Sequence, residues 1–288
     1  MIERLCIIGT GLIGGSLARA LREAGHCREV VGCSRNPAHL QQAVDLGVID
    51  RFDTDPVQAV DGADMVLVAV PLGAMESVFS VLRGNLDPET VLTDVGSAKA
   101  CVVEAARRGF GELPSNFVPG HPIAGTEQSG VAASFPELFR KRRVILTPLA
   151  QTSTAATARV RAMWEAAGAV VDEMDPEHHD AVLAATSHLP HVLAFALVES
   201  LARLGDSDEI FRYAAGGFRD FTRIASSDPV MWRDICLANG DAILQMIDRF
   251  SGDLQQLADA IRIHDGERLQ AVFTSAKQAR DRFVDKHS

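Results

Sequence analysis

Leu5-Cys6-Ile7-Ile8-Gly9-Thr10-Gly11-Leu12-Ile13-Gly14 is the stretch whose reading decides the fold. Leu5 to Ile8 is a short apolar run of the kind that forms a buried strand. Leu17, Ala18, Ala20, Leu21 and Ala24 follow at helical spacing, Gly25 ends that helix, and Val30-Val31-Gly32-Cys33 opens a second strand. Strand, glycine turn, helix and strand fit within about 30 residues, the span of a unit that binds a dinucleotide. Gly9 permits the tight turn, Gly11 lets a pyrophosphate reach the backbone, and Gly14 lets helix and strand pack closely. The free N–H groups at the start of the helix, at Leu12 and Ile13, join the positive end of its dipole in favouring phosphate.

The end of the second strand bears on which dinucleotide is bound. A site for NAD usually offers a carboxylate there, about 20 residues on, to the ribose 2′-hydroxyl. Here the residues are Ser34 and Arg35. Neither accepts as a carboxylate does, and Arg35 can pair with a 2′-phosphate. The expectation is NADP in preference to NAD; the alternative is that Arg35 stacks on adenine or faces water.

Working outward, the alternation continues. Met65 to Val70 reads as a long apolar strand stopped at Pro71, and Thr90 to Val95 as another that runs into Gly96-Ser97-Ala98-Lys99. The turns at Val70-Pro71 and at Ser97 lie at the carboxyl ends of parallel strands, where open α/β sheets bind ligands. Phe117-Val118 then delivers Gly120-His121-Pro122-Ile123-Ala124-Gly125-Thr126-Glu127 to the same edge. Its glycines and proline read as a loop, and His121 is a side chain that exchanges a proton near neutral pH. With Val144 to Thr147 and Ala169 to Asp172 as further strands, residues 1–175 read as a parallel-rich, doubly wound dinucleotide-binding domain of the α/β class.

From Pro176 the strands stop. Glu177–Arg203, Pro229–Gln256 and Asp265–Phe283 carry apolar residues at helical spacing, so residues 176–288 read as an all-α domain. It is too apolar to stand alone in water and is expected to pack on the sheet edge and on a second subunit. Within it, Asp180, His188 and His191 share one helix face at about 100° per residue, with Pro190 as a kink. No metal site is expected, because zinc pairs on helices prefer i, i+4 spacing and no third ligand is apparent. Two readings stay open for the histidines: groups satisfied at a helix kink, or substrate ligands. Gly216-Gly217-Phe218-Arg219-Asp220-Phe221-Thr222-Arg223 favours the second, since glycines beside arginines let a charged fork approach a small anion. An arginine there pairs with Asp220 or waits for a ligand carboxylate.

Composition narrows the class. The chain has 288 residues and a formal charge of −10, which argues against a nucleic-acid partner. Its five cysteines are scattered without metal-like spacing, as in a reducing compartment. Glu3 and Arg4 interrupt the first apolar run, so no signal peptide is read. No apolar run approaches the roughly 20 residues of a membrane span. The expectation is a soluble, cytoplasmic protein with no membrane partner.

Gly9 to Ser16, Asp94 to Lys99, Gly120 to Glu127, Ser187-His188-Leu189-Pro190-His191 and Gly216 to Ala225 together resemble the prephenate/arogenate dehydrogenase family, the cyclohexadienyl dehydrogenases of tyrosine biosynthesis. The resemblance runs over about residues 2 to 285 with its motifs in order. It implies a Rossmann-like domain followed by a helical dimerisation domain, a homodimer, and NAD(P)-dependent oxidative decarboxylation of prephenate or arogenate. It also implies His121 as the base that takes the 4-hydroxyl proton and Ser97 as the hydroxyl that orients it. Arg223 matches the family's carboxylate-binding arginine and His191 a residue on the substrate side chain, with Thr126 and His188 nearby. No regulatory domain is expected within the chain. Two rivals remain. β-Hydroxyacid dehydrogenases usually rely on a lysine in the helical half, and Glu177–Arg203 contains none. A non-catalytic NADP-sensing protein gives no reason for Ser97, His121, His191 and Arg223 to coexist.

Overall fold

The computed structural model describes residues 1–205 and 207–287. Strands and helices alternate from the N-terminus: β1 (Ile2–Ile8), α1 (Leu12–Glu23), β2 (Cys27–Cys33), α2 (Pro37–Asp45), β3 (Arg51–Asp53), α3 (Pro56–Val60), β4 (Met65–Val68), α4 (Met75–Leu82), β5 (Val91–Asp94), α5 (Lys99–Phe110) and β6 (Phe117–Val118). The strands form one parallel sheet in the order β3-β2-β1-β4-β5-β6. The order reverses between β1 and β4, and that switch point opens the crevice in which such sheets take a dinucleotide.

The apolar runs are continuous because both faces of this sheet are covered. Leu5, Ile7 and Leu67 pack in one core with Leu17, Leu21 and Trp164. Their strand neighbours Cys6, Ile8, Val66 and Val68 pack in the opposite core with Phe79, Phe110 and Phe117. Each such side chain, fully buried, contributes roughly 1.5–3 kcal/mol relative to its exposed state. β4 ends at Val68, two residues before the expected Val70, because the chain there passes the Gly9 turn: a Cβ on Gly9 would lie 2.3 Å from the Ala69 carbonyl oxygen.

Two expectations about the next segment are corrected. Gly120–Pro122 is a strand, β7, rather than a loop, and it pairs antiparallel with β8 (Arg143–Leu146). β8 pairs parallel with β9 (Val170–Glu173), beyond α6 (Thr154–Ala166), in a separate sheet β7-β8-β9 rather than in the main one. Proline and glycine punctuate turns, but a hydrogen-bonded partner overrides them: Ile123 N–H donates to the Arg143 carbonyl at 2.8 Å, and Thr147 N–H to that of Pro119 at 2.9 Å.

After β9 the described residues are helical or irregular: α7 (Pro176–Leu183), a wide turn Ala184–His188, α8 (Leu189–Ala202), α9 (Ser207–Arg212), α10 (Gly216–Thr222), α11 (Pro229–Ala238), α12 (Gly240–Arg262) and α13 (Gly266–His287). Pro190 does not break the long helix. It lacks the N–H that would bond the Thr186 carbonyl, and the preceding turn widens to the π form. The helix expected over Pro229–Gln256 is two helices, broken at Asn239, whose carboxamide is engaged with Asp180 and His188.

By its internal contacts the chain divides into two units, 1–240 and 241–288. The first holds both sheets and the helices through α11. The second holds α12 and α13, joined by a turn at His264 (φ 55°). Leu254, Ile261, Ile263 and Phe273 of this unit are exposed. Among the described residues, Pro176–Ala202 is, by length and composition, long and apolar enough to cross a membrane, contrary to the sequence expectation. Its buried His179, Asp180 and His188 are all hydrogen-bonded within the first unit, as in a packed helix.

Candidate active site

The glycine turn fits a dinucleotide. Gly9 has φ 105°, and nothing lies within 4 Å of where a Cβ on Gly11 would stand, so the backbone there is open to a ligand. Gly11 caps α1 without a side-chain hydrogen bond, and the first turn carries no acidic residue. The N–H groups of that turn are therefore free for phosphate. Leu12 and Ile13 rest on the core beside the turn, and Gly14 packs against Ile7. Val70 is half-buried and Pro71 exposed at the end of β4. Beyond β2, Ser34 Oγ accepts the Asn36 N–H at 3.1 Å, while Arg35 is exposed and has no ion pair among the described residues.

His121 lies at the middle of β7 and is buried, 9 % exposed. Its Nδ1 is 2.9 Å from His179 Nε2, and His179 Nδ1 is 2.8 Å from Asp180 Oδ1. The chemistry of the last partner fixes every proton in the chain. Asp180 is an acceptor, because the Lys99 and Ala100 N–H groups donate to its two oxygens at 2.7 and 2.9 Å. Burial raises its carboxyl, but the hydrogen bonds from His179, Lys99 and Ala100 outweigh that and hold it below the ordinary aspartate value. His179 must then carry its proton on Nδ1 and accept at Nε2, so His121 donates from Nδ1. The lone pair of His121 is left on Nε2. Burial, then the neighbouring His179, Lys99 and His188, push the His121 pKa well below 6.5, so the ring is neutral at pH 7.

The resemblance implies Ser97 as the orienting hydroxyl; in the structure the group on His121 Nδ1 is His179. Ser97 is half-buried, and its hydroxyl has no hydrogen bond among the described residues. His179 was missed because a histidine in a His178-His179-Asp180 run at a helix start carries no motif. The available signal was its place beside Asp180, already in the polar set.

That polar set divides. Asn239 Nδ2 donates to the Asp180 carbonyl at 2.8 Å and meets His188 Nδ1 at 3.1 Å. His188 is almost wholly buried, and burial lowers its pKa to about 4. His191 Nδ1–H donates to the Ser187 carbonyl at 2.8 Å, and its ring stacks on Trp232 at 3.8 Å between centroids. Trp232 Nε1 is buried without a partner among the described residues, and Trp232 is a second residue absent from the sequence reading. Arg223 does not pair with Asp220 among the described residues: it donates to Glu127 Oε1 on the exposed surface. Thr126 is exposed and closes a turn with Gln128. Thr126 and Arg223 border a cavity of about 460 Å³ whose walls include Phe135, Leu138 and Arg142; His121 does not line it.

Residues 17–173 match the family model described as prephenate dehydrogenase, nucleotide-binding domain, and residues 175–275 the one described as prephenate dehydrogenase, dimerization domain. The chain belongs to the prephenate dehydrogenase family. It is 39% identical to the cyclohexadienyl dehydrogenase of Zymomonas mobilis, over 97% of this chain and 96% of that one. It is 36% identical to the prephenate dehydrogenase of Bacillus subtilis, over 98% of this chain and 76% of that one. The crystal structure of prephenate dehydrogenase from A. aeolicus in complex with hydroxyphenyl propionate and NAD+ superposes with a TM-score of 0.92 at 38% identity, covering 98% of this chain and 99% of that chain. Membership of the prephenate dehydrogenase family makes the N-terminal fold an NAD(P)-binding domain and the helical part a dimerization domain. The exposed apolar residues of α12 and α13 agree with the latter.

Proposed function

We propose that the chain is a cytoplasmic NAD(P)-dependent oxidoreductase that oxidatively decarboxylates prephenate, arogenate or both, with His121 as the general base. The observation that carries the reading is the proton order from Asp180 through His179 to His121, which leaves a neutral imidazole with its lone pair on Nε2. The dinucleotide, held by the Gly9–Gly14 turn and the start of α1, supplies the hydride acceptor. His121 Nε2 takes the proton of the 4-hydroxyl as hydride leaves the carbon that bears it. The ring carboxylate departs as CO₂, and its bonding pair completes the aromatic ring. Once protonated, His121 becomes a cation whose Nδ1–H faces His179, itself hydrogen-bonded to the Asp180 carboxylate. Such a base accelerates a reaction by about 10²–10⁴.

Arg223 holds a substrate carboxylate by exchanging Glu127 for it, and His191, fixed on Trp232, contacts the substrate side chain. Thr126 and His188 lie around them, and the unpaired Ser97 hydroxyl is free for the reacting centre. The absence of a carboxylate after β2 and the exposed, unpaired Arg35 support NADP over NAD. Steady-state kinetics with prephenate and arogenate against NADP+ and NAD+ test the reading. Turnover of neither ring by a folded, cofactor-binding chain overturns it. Arg35→Asp should lower the NADP/NAD ratio of kcat/KM, and an unmoved ratio removes the 2′-phosphate argument.

A further inference from the structure

One buried ion pair grips the residue before His121. Lys99, the first residue of α5, and Asp94, the last of β5, are both fully buried. Lys99 Nζ donates to Asp94 Oδ2 at 2.5 Å and to the Gly120 carbonyl at 2.6 Å. Asp94 Oδ1 accepts the Gly120 N–H at 3.1 Å, and Oδ2 the Gly96 N–H at 2.6 Å. Both backbone polar groups of Gly120 are thus held by the two members of one pair.

The sheet register explains why Gly120 needs them. The β7–β8 hydrogen bonds fall at Pro119–Thr147 and Ile123–Arg143, so Gly120 stands opposite Leu146 in a non-hydrogen-bonded pair. Its N–H and C=O face away from β8, on the side where β7 has no strand partner among the described residues. The carbonyl that Lys99 holds belongs to the peptide bond leading into His121. A buried ion pair is a weak source of stability, and apolar residues of the same volume often do as well. Its contribution here is direction: it stands in for a missing strand and aims one peptide.

We propose that Lys99 and Asp94 are positioning residues for the reaction, fixing through Gly120 where the His121 imidazole stands without touching substrate. This rests on His121 being the base. The test compares Lys99→Met, the double variant Lys99→Met/Asp94→Asn and His121→Asn in the full chain, with prephenate and each cofactor. A misplacement of about 1 Å costs about 100-fold, so kcat should fall by about that factor in both Lys99 variants, with KM and cofactor affinity little changed. Lys99→Met leaves Asp94 charged and unpaired, so its Tm should drop. The double variant removes both charges, so its Tm should recover while kcat stays low, because the Gly120 carbonyl still lacks its donor. If the single variant does not fold, the double variant carries the test. A kcat that recovers with Tm, or wild-type kcat in either folded variant, overturns the proposal. Wild-type kcat in His121→Asn overturns the base assignment as well; an inactive His121→Asn beside a fully active double variant removes the positioning role alone.

Discussion

His121 and Arg223 meet the same segment, Gly120 to Glu127, in opposite settings. At one end His121 is 9 % exposed, its ring hydrogen-bonded to His179 and its backbone neighbour held by Lys99 and Asp94. At the other, Arg223 is 64% exposed and tied to Glu127 by a surface ion pair. Burial fixes which nitrogen carries a proton, because the ring's hydrogen bond runs to a protein group whose own proton is set by Asp180. Exposure does the reverse. A surface ion pair contributes about 0–1 kcal/mol, so Arg223 can exchange Glu127 for a ligand carboxylate at little cost. The buried end is built for direction, and the exposed end for exchange.

Four variants or conditions break or sharpen this contrast, from the largest effect downward. His121→Asn should reduce kcat by about 10²–10⁴ with cofactor affinity nearly unchanged; steady-state kinetics beside a cofactor titration check this, and an unchanged kcat removes the base. His179→Ala frees His121 Nδ1 and lets the ring place its proton on either nitrogen, so kcat should fall about 10–100-fold with KM little altered. Wild-type kcat in that variant would show that the proton order does not matter. Arg223→Ala should act on KM instead, by about 10–100-fold, since a hydrogen bond to a charged group contributes about 1.5–3 kcal/mol. Its Tm should scarcely move, and a large loss of Tm with unchanged KM would make Arg223 structural.

The smallest effect is on stability against pH. His121, His179, His188 and His191 all have their pKa lowered in the folded chain, chiefly by burial. Below about 6.5 the unfolded chain binds protons that the folded chain refuses. Stability is therefore fully present above that value and falls as the pH drops toward 4, where His188 titrates. Thermal unfolding followed from pH 7.5 to 4.5, values chosen to bracket roughly that window, should show Tm falling throughout, with His188→Asn losing part of the slope. A flat profile would mean that the buried end tolerates charge as the rim does.

Much of the fold was legible because its signals are local. The glycine turn between an apolar strand and an amphipathic helix needs only adjacent residues to be recognised, and so does the change from strands to helices at Pro176. The exposed residues were legible as a set, but the Arg223–Glu127 pair was not, because Glu127 lies 96 positions away. Gly120–Pro122 was misread for the same kind of reason: its composition indicates a turn, and the β8 strand that overrides it comes about twenty residues later.

What the sequence determined by itself was the dinucleotide-binding sheet, the helical second half and the identity of His121 as the residue of interest, each written in short-range spacing. What only the tertiary structure decided was how that histidine is held. Its ring partner lies 58 positions along the chain, and the lysine over its preceding peptide sits on a different element. The wide turn before Pro190 and the break at Asn239 add to this, since they set the register in which His188 meets Asn239. Protonation and direction depend on hydrogen bonds between distant residues in a buried interior, and no periodicity along the chain encodes them.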